Sequence, residues 1–264
     1  MMKNFFVILA LVATVFASCG KDDDNDNNKL AQQLLGKWMD AEHDGLPVVT
    51  NEKWVVTFTS DTSAIVSTSR ADFTEEQEMW DAYRACSVVT DGDKVTLAYE
   101  PNKRVRVVFE YNVESITDSE FNAHSVQTIY IDNEVYANRE MDVRYIKVPI
   151  DYRQEIIGMW EGRVTSEGSD HDDGELHRWE YRADGTYGYY DQVDGQWQLH
   201  ENVFNEYFVD GVLLCTRWRD PDSDELREWW EIDTIANGQM NWTALRHRDD
   251  GSSYTATFSM HKVQ

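Results

Sequence analysis

Apolar and polar residues alternate in short runs along most of the chain beyond residue 30, which is the period of a β-strand with one buried face. The clearest runs are residues 94–100, 104–114, 128–136, 142–148, 186–191, 212–219, 226–233 and 253–263. Asp91-Gly92, Asp184-Gly185 and Asp210-Gly211 fall between or beside such runs and are typical of hairpin turns. The pattern therefore predicts antiparallel β-structure.

Helical periodicity is confined to a few short segments. Residues 74–85 begin with Thr74-Glu75-Glu76-Gln77, a capping-box pattern, and then place Met79, Trp80 and Tyr83 at near-helical spacing. This predicts one helix in the first half of the chain. Two shorter helices are expected at residues 30–35 and 154–157, each just before a Gly-x-Trp sequence.

The chain contains an internal repeat. Residues 34–38 (LLGKW) recur as residues 156–160 (IIGMW), 122 positions later, and residues 145–148 align with residues 260–263. Apolar positions after Asp91-Gly92 recur after Asp210-Gly211 without a gap. We therefore expect two copies of one domain, at residues 30–148 and 154–264, joined by residues 149–153. Seven or eight short strands in each copy predict an all-β fold of two tandem antiparallel up-and-down barrels or sandwiches with short helices.

The start of each repeat resembles the opening motif of the lipocalins. Gly36 and Trp38 carry the motif in the first copy, and Gly158 and Trp160 carry it in the second. The resemblance implies a tryptophan that plugs one end of each barrel and a glycine that permits close packing. The second copy lacks the arginine that covers this tryptophan in the family, and Lys262 is the nearest basic residue there.

The first 29 residues have the features of a targeting segment. Residues 1–18 combine Lys3 with an apolar run that ends in small residues, as a secretory signal peptide does. Residues 16–20 resemble a bacterial lipobox, which implies lipidation of Cys19. Residues 19–29 then form an acidic tether that resembles the surface-export signal of Bacteroidota lipoproteins. An ordinary cleaved signal, or a lipoprotein facing the periplasm, is the alternative.

Taken together, the leader and the repeats resemble the Bacteroidota surface lipoproteins with two tandem lipocalin-like domains. The resemblance implies an outer-membrane lipoprotein exposed at the cell surface and anchored through lipid on Cys19. The formal charge of −25 disfavours nucleic acid and anionic lipid surfaces as partners. Cys86 and Cys215 remain after lipidation, and either a disulfide or two buried thiols is compatible with the sequence.

Aromatic residues supply the candidate ligand site. The first copy has three tryptophans and the second has seven. Trp229 is predicted on a charged strand face, where a tryptophan can stack on a sugar or anchor a protein partner. Tyr189 and Trp218 are further candidates for ligand binding. The alternative for Trp229 is that it covers the neighbouring domain or packs on arginine side chains.

Two acidic segments could hold a metal ion. Asp170, His171, Asp172 and His177 offer oxygen and imidazole ligands, although the segment also fits a solvated loop. Asp220, Asp222, Asp224 and Glu231 match calcium-loop positions 1, 3, 5 and 12. Glu225 stands where that loop needs glycine, which favours a hairpin tip instead.

The sequence has no hydrolase, metalloprotease, phosphate-binding or redox signature, so we expect neither catalysis nor a cofactor. The leading hypothesis is a surface-anchored binding protein for a glycan, a small apolar ligand or a cell-surface protein. The alternative is a structural or interaction subunit of an outer-membrane assembly, with filled barrels and no small-molecule ligand. An open, apolar-lined cavity would favour a ligand carrier.

Overall fold

The computed structural model describes residues 23–68, 80–166, 174, 176–248 and 250–263. Two antiparallel sheets account for most of these residues, one within residues 30–148 (the first domain) and one within residues 154–264 (the second domain). The first sheet closes into an eight-stranded barrel, and the second forms a curled half-barrel. The predicted all-β fold with two tandem barrel-like domains is confirmed. The predicted signal peptide and Cys19 lie outside the described residues.

The first domain is a closed meander. Its strands are β1 (Gly36–His43), β2 (Leu46–Pro47), β3 (Val55–Phe58), β4 (Ser63–Thr68), β5 (Asp81–Asp91), β6 (Lys94–Tyr99), β7 (Val105–Ile116), β8 (Glu120–Ile131) and β9 (Glu134–Lys147). Each strand from β3 to β9 pairs with the next, and β9 returns to β1. Trp38 and Lys147 are partners in that closing ladder. The barrel therefore has no open side.

The second domain follows a similar path but remains open. Its strands are β10 (Gly158–Val164), β11 (His177–Tyr181), β12 (Tyr187–Val193), β13 (Gln196–Leu199), β14 (Phe204–Asp210), β15 (Leu213–Arg219), β16 (Leu226–Ala236), β17 (Gln239–His247) and β18 (Ser253–Val263). The sheet ends at β13 on one side and β14 on the other. A bridge between Thr186, just before β12, and Glu206 on β14 links the two sides of the opening at one point.

Most hairpin positions agree with the sequence prediction. The turns at Asp91-Gly92 and Asp210-Gly211 join β5 to β6 and β14 to β15. The prediction of one strand at residues 128–136 was wrong, because the chain turns at Asp132 and Asn133, which have φ angles of 51° and 69°. Both side chains tolerate this left-handed conformation, so Asp-Asn serves here as a hairpin turn without glycine.

The helix predictions need correction. Helix α1 (Asp23–Leu34) begins seven residues before the helix predicted at 30–35, and it buries Leu30 and Leu34. Residues 154–157 form a single turn, in which the Ile156 amide donates to the Tyr152 carbonyl at 3.1 Å. The helix predicted at 74–85 was wrong beyond residue 80, because those residues belong to β5; residues 74–79 lie outside the described residues.

The Gly-x-Trp motif closes one end of each domain in the same way. The indole nitrogens of Trp38 and Trp160 each donate to a carbonyl four residues earlier, in Leu34 and Ile156, at 2.6 Å. Both rings are fully buried. Gly158 has a φ angle of 131°, a backbone conformation that residues other than glycine rarely adopt. The predicted barrel plugs, Gly36–Trp38 and Gly158–Trp160, are therefore structurally equivalent.

The two domains share a third apolar cluster besides their own cores. It contains Met39, Val55 and Val148 from the first domain and its end, and Phe208, Leu213 and Cys215 from the second. Asp210, only 1% exposed, lies beside this cluster. It receives a hydrogen bond from Ser67 at 2.5 Å and pairs with Lys37 of the first domain. Apolar packing and a buried ion pair together join the two domains.

A second polar contact joins the domains at Thr50. Its hydroxyl donates to Glu231 at 3.1 Å and accepts from the Leu245 amide at 2.9 Å. Lys53 pairs with the same Glu231 at 2.8 Å. Among the described residues, no helix has both the length and the apolar character that crossing a membrane requires.

Candidate functional site

The interior of the first barrel is filled by its own side chains. Trp54 packs on Phe109 with ring centres 4.2 Å apart, and its indole nitrogen donates to the Tyr145 hydroxyl at 2.7 Å. Tyr145 also stacks on Phe121 at 4.6 Å and contacts the Tyr111 hydroxyl at 3.1 Å. The cavity that remains measures about 30 Å³, which is room for about one water molecule.

Burial changes the pKa values of these tyrosine hydroxyls. Desolvation raises the pKa of Tyr111 and of Tyr145 well above the ordinary value of a tyrosine. Both hydroxyls therefore remain neutral over the physiological range and serve as hydrogen-bonding groups within the core. As far as the described residues 23–68 and 80–148 show, the interior of the first barrel has no space for a ligand of more than a few atoms.

The second domain contains a cavity of about 510 Å³ inside its curled sheet. This volume falls within the range of about 300–1,000 Å³ that is typical of small-molecule sites. Eight aromatic side chains form what we call the aromatic wall: Trp179, Tyr181, Tyr187, Tyr189, Trp218, Trp230, Trp242 and Phe258. They come from strands β11, β12, β15, β16, β17 and β18, so rings from most of the sheet line the cavity.

The strand register shows where the cavity opens. Near the Trp160 plug, Met240 pairs with Met260, whereas six residues further along β17 the cavity-lining Arg246 pairs with Tyr254. Thr216 and Glu228 are partners toward the same distant end. Polar residues collect there and form what we call the polar mouth: His200, Asn202, Asp220, Arg227, Glu228 and Arg246. The cavity therefore has an aromatic interior and a polar opening away from the plug.

The charges of the polar mouth are paired with one another or with close neighbours. Arg246 donates to Glu228 at 3.0 Å, and its guanidinium lies 4.5 Å from the ring centre of Trp230. Arg227 pairs with Glu225 at 2.6 Å. Asp220 contacts His200 at 3.4 Å, so each of these charged side chains has a polar partner.

His200 bridges two carboxylates at the open side of the sheet. Its Nδ1 lies 2.7 Å from Asp191 on β12, and its Nε2 lies 3.4 Å from Asp220 beyond the end of β15. The hydrogen bond to Asp191 raises the pKa of His200, and burial opposes this rise. Through these two contacts His200 links Asp191 on β12 with Asp220 beyond β15, across the gap between β13 and β14.

The aromatic wall is held by contacts among its own rings. Trp179 contacts Trp242 at 5.5 Å and Phe258 at 5.2 Å, measured between ring centres, in tilted and edge-to-face arrangements. His177 is 2.9 Å from the Tyr189 hydroxyl through Nδ1. Burial raises the pKa of Tyr181 and Tyr187, so both phenols stay protonated at neutral pH. These contacts fix ring orientations without filling the space between them.

The predicted ligand-binding residues divide into two groups. Tyr189 and Trp218 both lie in the aromatic wall. Trp229 instead packs against the apolar cluster between the domains, as its alternative interpretation predicted. Strand alternation explains the difference, because Trp230 points into the second domain and Trp229 points away from it.

The predicted metal ligands are not brought together among the described residues. Asp170, His171 and Asp172 lie outside them, while His177 lines the cavity. Asp220, Asp222 and Asp224 belong to the tip of the β15–β16 hairpin, and Glu231 binds Lys53 and Thr50 of the first domain. No group of three metal-binding side chains was found in the described part of the chain. The hairpin-tip interpretation of this segment is confirmed.

The two remaining cysteines lie in different places. Cys86 belongs to the core of the first barrel, and Cys215 belongs to the cluster between the domains. Both are buried free thiols, so of the two alternatives the structure contains two buried thiols and not a disulfide.

Sequence reasoning identified only part of the site. Trp230 aligns with Tyr111 and was expected in the core, and Trp179 and Trp242 were not singled out. The seven tryptophans of the second copy were the available signal, since four of them line the cavity. Comparison of the sequence with models of known families gave no match, and no curated protein matches it either.

Proposed function

We propose that the second domain binds a small molecule in its aromatic cavity and that the protein performs no catalysis. The observation that supports this most directly is the difference between the interiors of the two sheets: the cavity measures about 30 Å³ inside the first and about 510 Å³ inside the second. A cavity of that size, lined by rings and opened by a polar mouth, has the composition of a ligand site.

The first domain is proposed to act as a scaffold. Its barrel is filled, and it contacts the second domain through the shared apolar cluster, Asp210 and Thr50. The alternative function, a structural subunit without a small-molecule ligand, has support in the first domain alone, because only the first barrel is filled among the described residues.

The proposal also includes the location. A lipid on Cys19 would hold the protein at the outer membrane, facing outward, and support for this comes from the lipobox-like residues 16–20 and the acidic segment after them. Labelling with an alkyne-bearing fatty acid should mark the wild-type protein and leave Cys19→Ser unmarked. Protease treatment of intact cells should then cleave the lipidated protein. Labelling of Cys19→Ser would contradict the anchor.

Binding can be tested by filling the cavity. Thr216 lines it and Thr255 is exposed on β18, so Thr216→Trp blocks the space while Thr255→Trp adds the same side chain outside. Thermal denaturation would be followed with Nile red, cis-parinaric acid and maltotriose as probes of three ligand classes. At a probe concentration of a hundred times Kd, the folded state gains about 2.7 kcal/mol.

We expect at least one probe to raise the melting temperature of the wild type and of Thr255→Trp, but not that of Thr216→Trp. A shift that persists in Thr216→Trp would mean that the probe binds elsewhere. The absence of any shift in the wild type with all three probes would overturn the proposed function.

A further inference from the structure

The cavity wall has a composition that discriminates among ligand classes. None of the described residues that line it has a purely aliphatic side chain, and eight of them carry the rings of the aromatic wall. A site for an acyl chain gains most from flexible aliphatic contacts along the chain. Flat rings instead offer extended faces and edges, which match another planar ring best.

The ring arrangement supports the same conclusion. Trp230 and Trp242 are tilted by 33° with centres 5.5 Å apart, and Trp179 meets Phe258 nearly edge-on at 80°. The wall therefore presents faces in one direction and edges in another. A planar ligand can stack on the ring faces and receive edge-to-face contacts from the ring edges, and each such ring pair adds affinity beyond that from apolar burial alone.

The charges at the polar mouth narrow the class of ligand further. At the mouth Arg246 pairs with Glu228, and His200 pairs with Asp220, so these four groups offer no unpaired charge to an ionic ligand. The formal charge of −25 on the whole chain also repels an anion. A ligand without charge gives up no ionic hydration when it enters between the aromatic rings.

A saccharide fits this interior less well. Each sugar hydroxyl that leaves water needs a hydrogen-bonding partner, and a hydroxyl buried without one weakens binding. The charged groups of the lining collect at the mouth, and the interior around Trp242 and Phe258 is made largely of rings, with the Trp242 indole N–H as one buried donor. A saccharide could contact the opening, but it would lose hydrogen bonds on entering.

From these observations we infer that the cavity of the second domain takes an uncharged, planar aromatic or conjugated ring compound. This inference rests on the proposed function and specifies its ligand class.

The test compares three probes by fluorescence and titration calorimetry on the full chain. Nile red is planar and uncharged, cis-parinaric acid is an acyl chain, and maltotriose is a saccharide. We expect Nile red to bind with one site per chain and at least tenfold more tightly than either other probe. Equal or tighter binding of cis-parinaric acid or maltotriose would overturn the inference and leave the proposed function standing. If no probe binds, both fail.

Paired variants show whether the ring contacts are responsible. Trp218→Leu replaces a ring of the aromatic wall with an aliphatic side chain, and Trp197→Leu makes the same change on β13 outside the wall. With the fold of each verified by its melting temperature, Trp218→Leu should weaken Nile red binding about five- to tenfold, and Trp197→Leu should not change it. Unchanged affinity in Trp218→Leu, or equal losses in both variants, would contradict the inference.

Discussion

Lys262 extends over the buried ring of Trp160, with its Nζ 5.1 Å from the ring centre. Lys147 lies over Trp38 at 4.8 Å in the same way. The two lysines occupy equivalent positions in the last strand of each domain, and each pairs in register with the tryptophan that it covers. A lysine from the last strand thus covers the plug tryptophan in both copies.

The plug hydrogen bond can be tested at Trp160. Trp160→Phe keeps a ring in place but removes the donor to the Ile156 carbonyl, which is then buried without that partner. We expect the free energy of unfolding to fall by about 1–3 kcal/mol, as measured by urea denaturation. Trp197→Phe, at a half-buried position on β13, is the matched control and should change stability far less. Equal losses would argue against a special role for the plug.

Asp210 should contribute strongly to the junction between the domains. Asp210→Asn removes the charge that faces Lys37, whose side chain is only 13% exposed. Breaking a buried ion pair costs on the order of 3 kcal/mol, although Asp151, 2.5 Å from Lys37, will offset part of the loss. Asp132→Asn disrupts an exposed pair with Arg104 and should cost less than about 1 kcal/mol. Similar effects of both substitutions on urea denaturation would refute this prediction.

Trp229 and Trp218 should respond oppositely to substitution. Trp229→Ala removes a ring from the cluster between the domains, so the free energy of unfolding should fall by about 2 kcal/mol. Because Trp229 faces away from the cavity, the Nile red affinity of the folded protein should not change. Trp218→Leu should instead reduce binding. Lost binding in folded Trp229→Ala would show that this residue contacts the ligand after all.

His200 predicts a pH dependence of stability. Its pKa is raised in the folded protein, chiefly by the hydrogen bond to Asp191. Its stabilising contribution is therefore complete below the ordinary histidine pKa of about 6.5 and is lost as the pH rises through the raised value. The difference in melting temperature between the wild type and His200→Gln should thus be larger at pH 5.5 than at pH 8.5.

A second histidine provides the comparison. His124 also has a raised pKa, because of its hydrogen bond to Asp142, but the Asp142 side chain is 74% exposed, whereas the two carboxylates beside His200 are 44% and 38% exposed. Solvent screens such pairs, so His124→Gln should show the smaller pH-dependent difference. A difference for His200→Gln that grows with rising pH would contradict the predicted direction.

Local patterns were sufficient to predict the duplicated β-architecture. Alternating residues and Asp-Gly turns located the hairpins, and the alignment of Lys147 with Lys262 is reflected in equivalent contacts with Trp38 and Trp160. The helix predicted at 74–85 failed beyond residue 80 because β5 pairs on both sides, with β4 and β6. Those ladders override a local capping-box pattern.

The difference between a filled and an open interior could not be predicted locally. Tyr111 and Trp230 align and both point inward, yet one belongs to a packed core and the other lines a cavity. The first barrel is filled because Trp54, Phe109 and Tyr145 pack together in its interior, although they are far apart in the sequence. The second domain has Met260 where the first has Tyr145, and so lacks that hydroxyl.

Strands β14 and β15 face two environments at once. Phe208 and Cys215 point to the first domain, whereas Val209 and Thr216 point into the second. The side chains that form the interface between the domains are thus separate from those that would contact a ligand. During evolution the residues that line the cavity can therefore be substituted, which changes the ligand, while the residues of the interface between the two domains are retained.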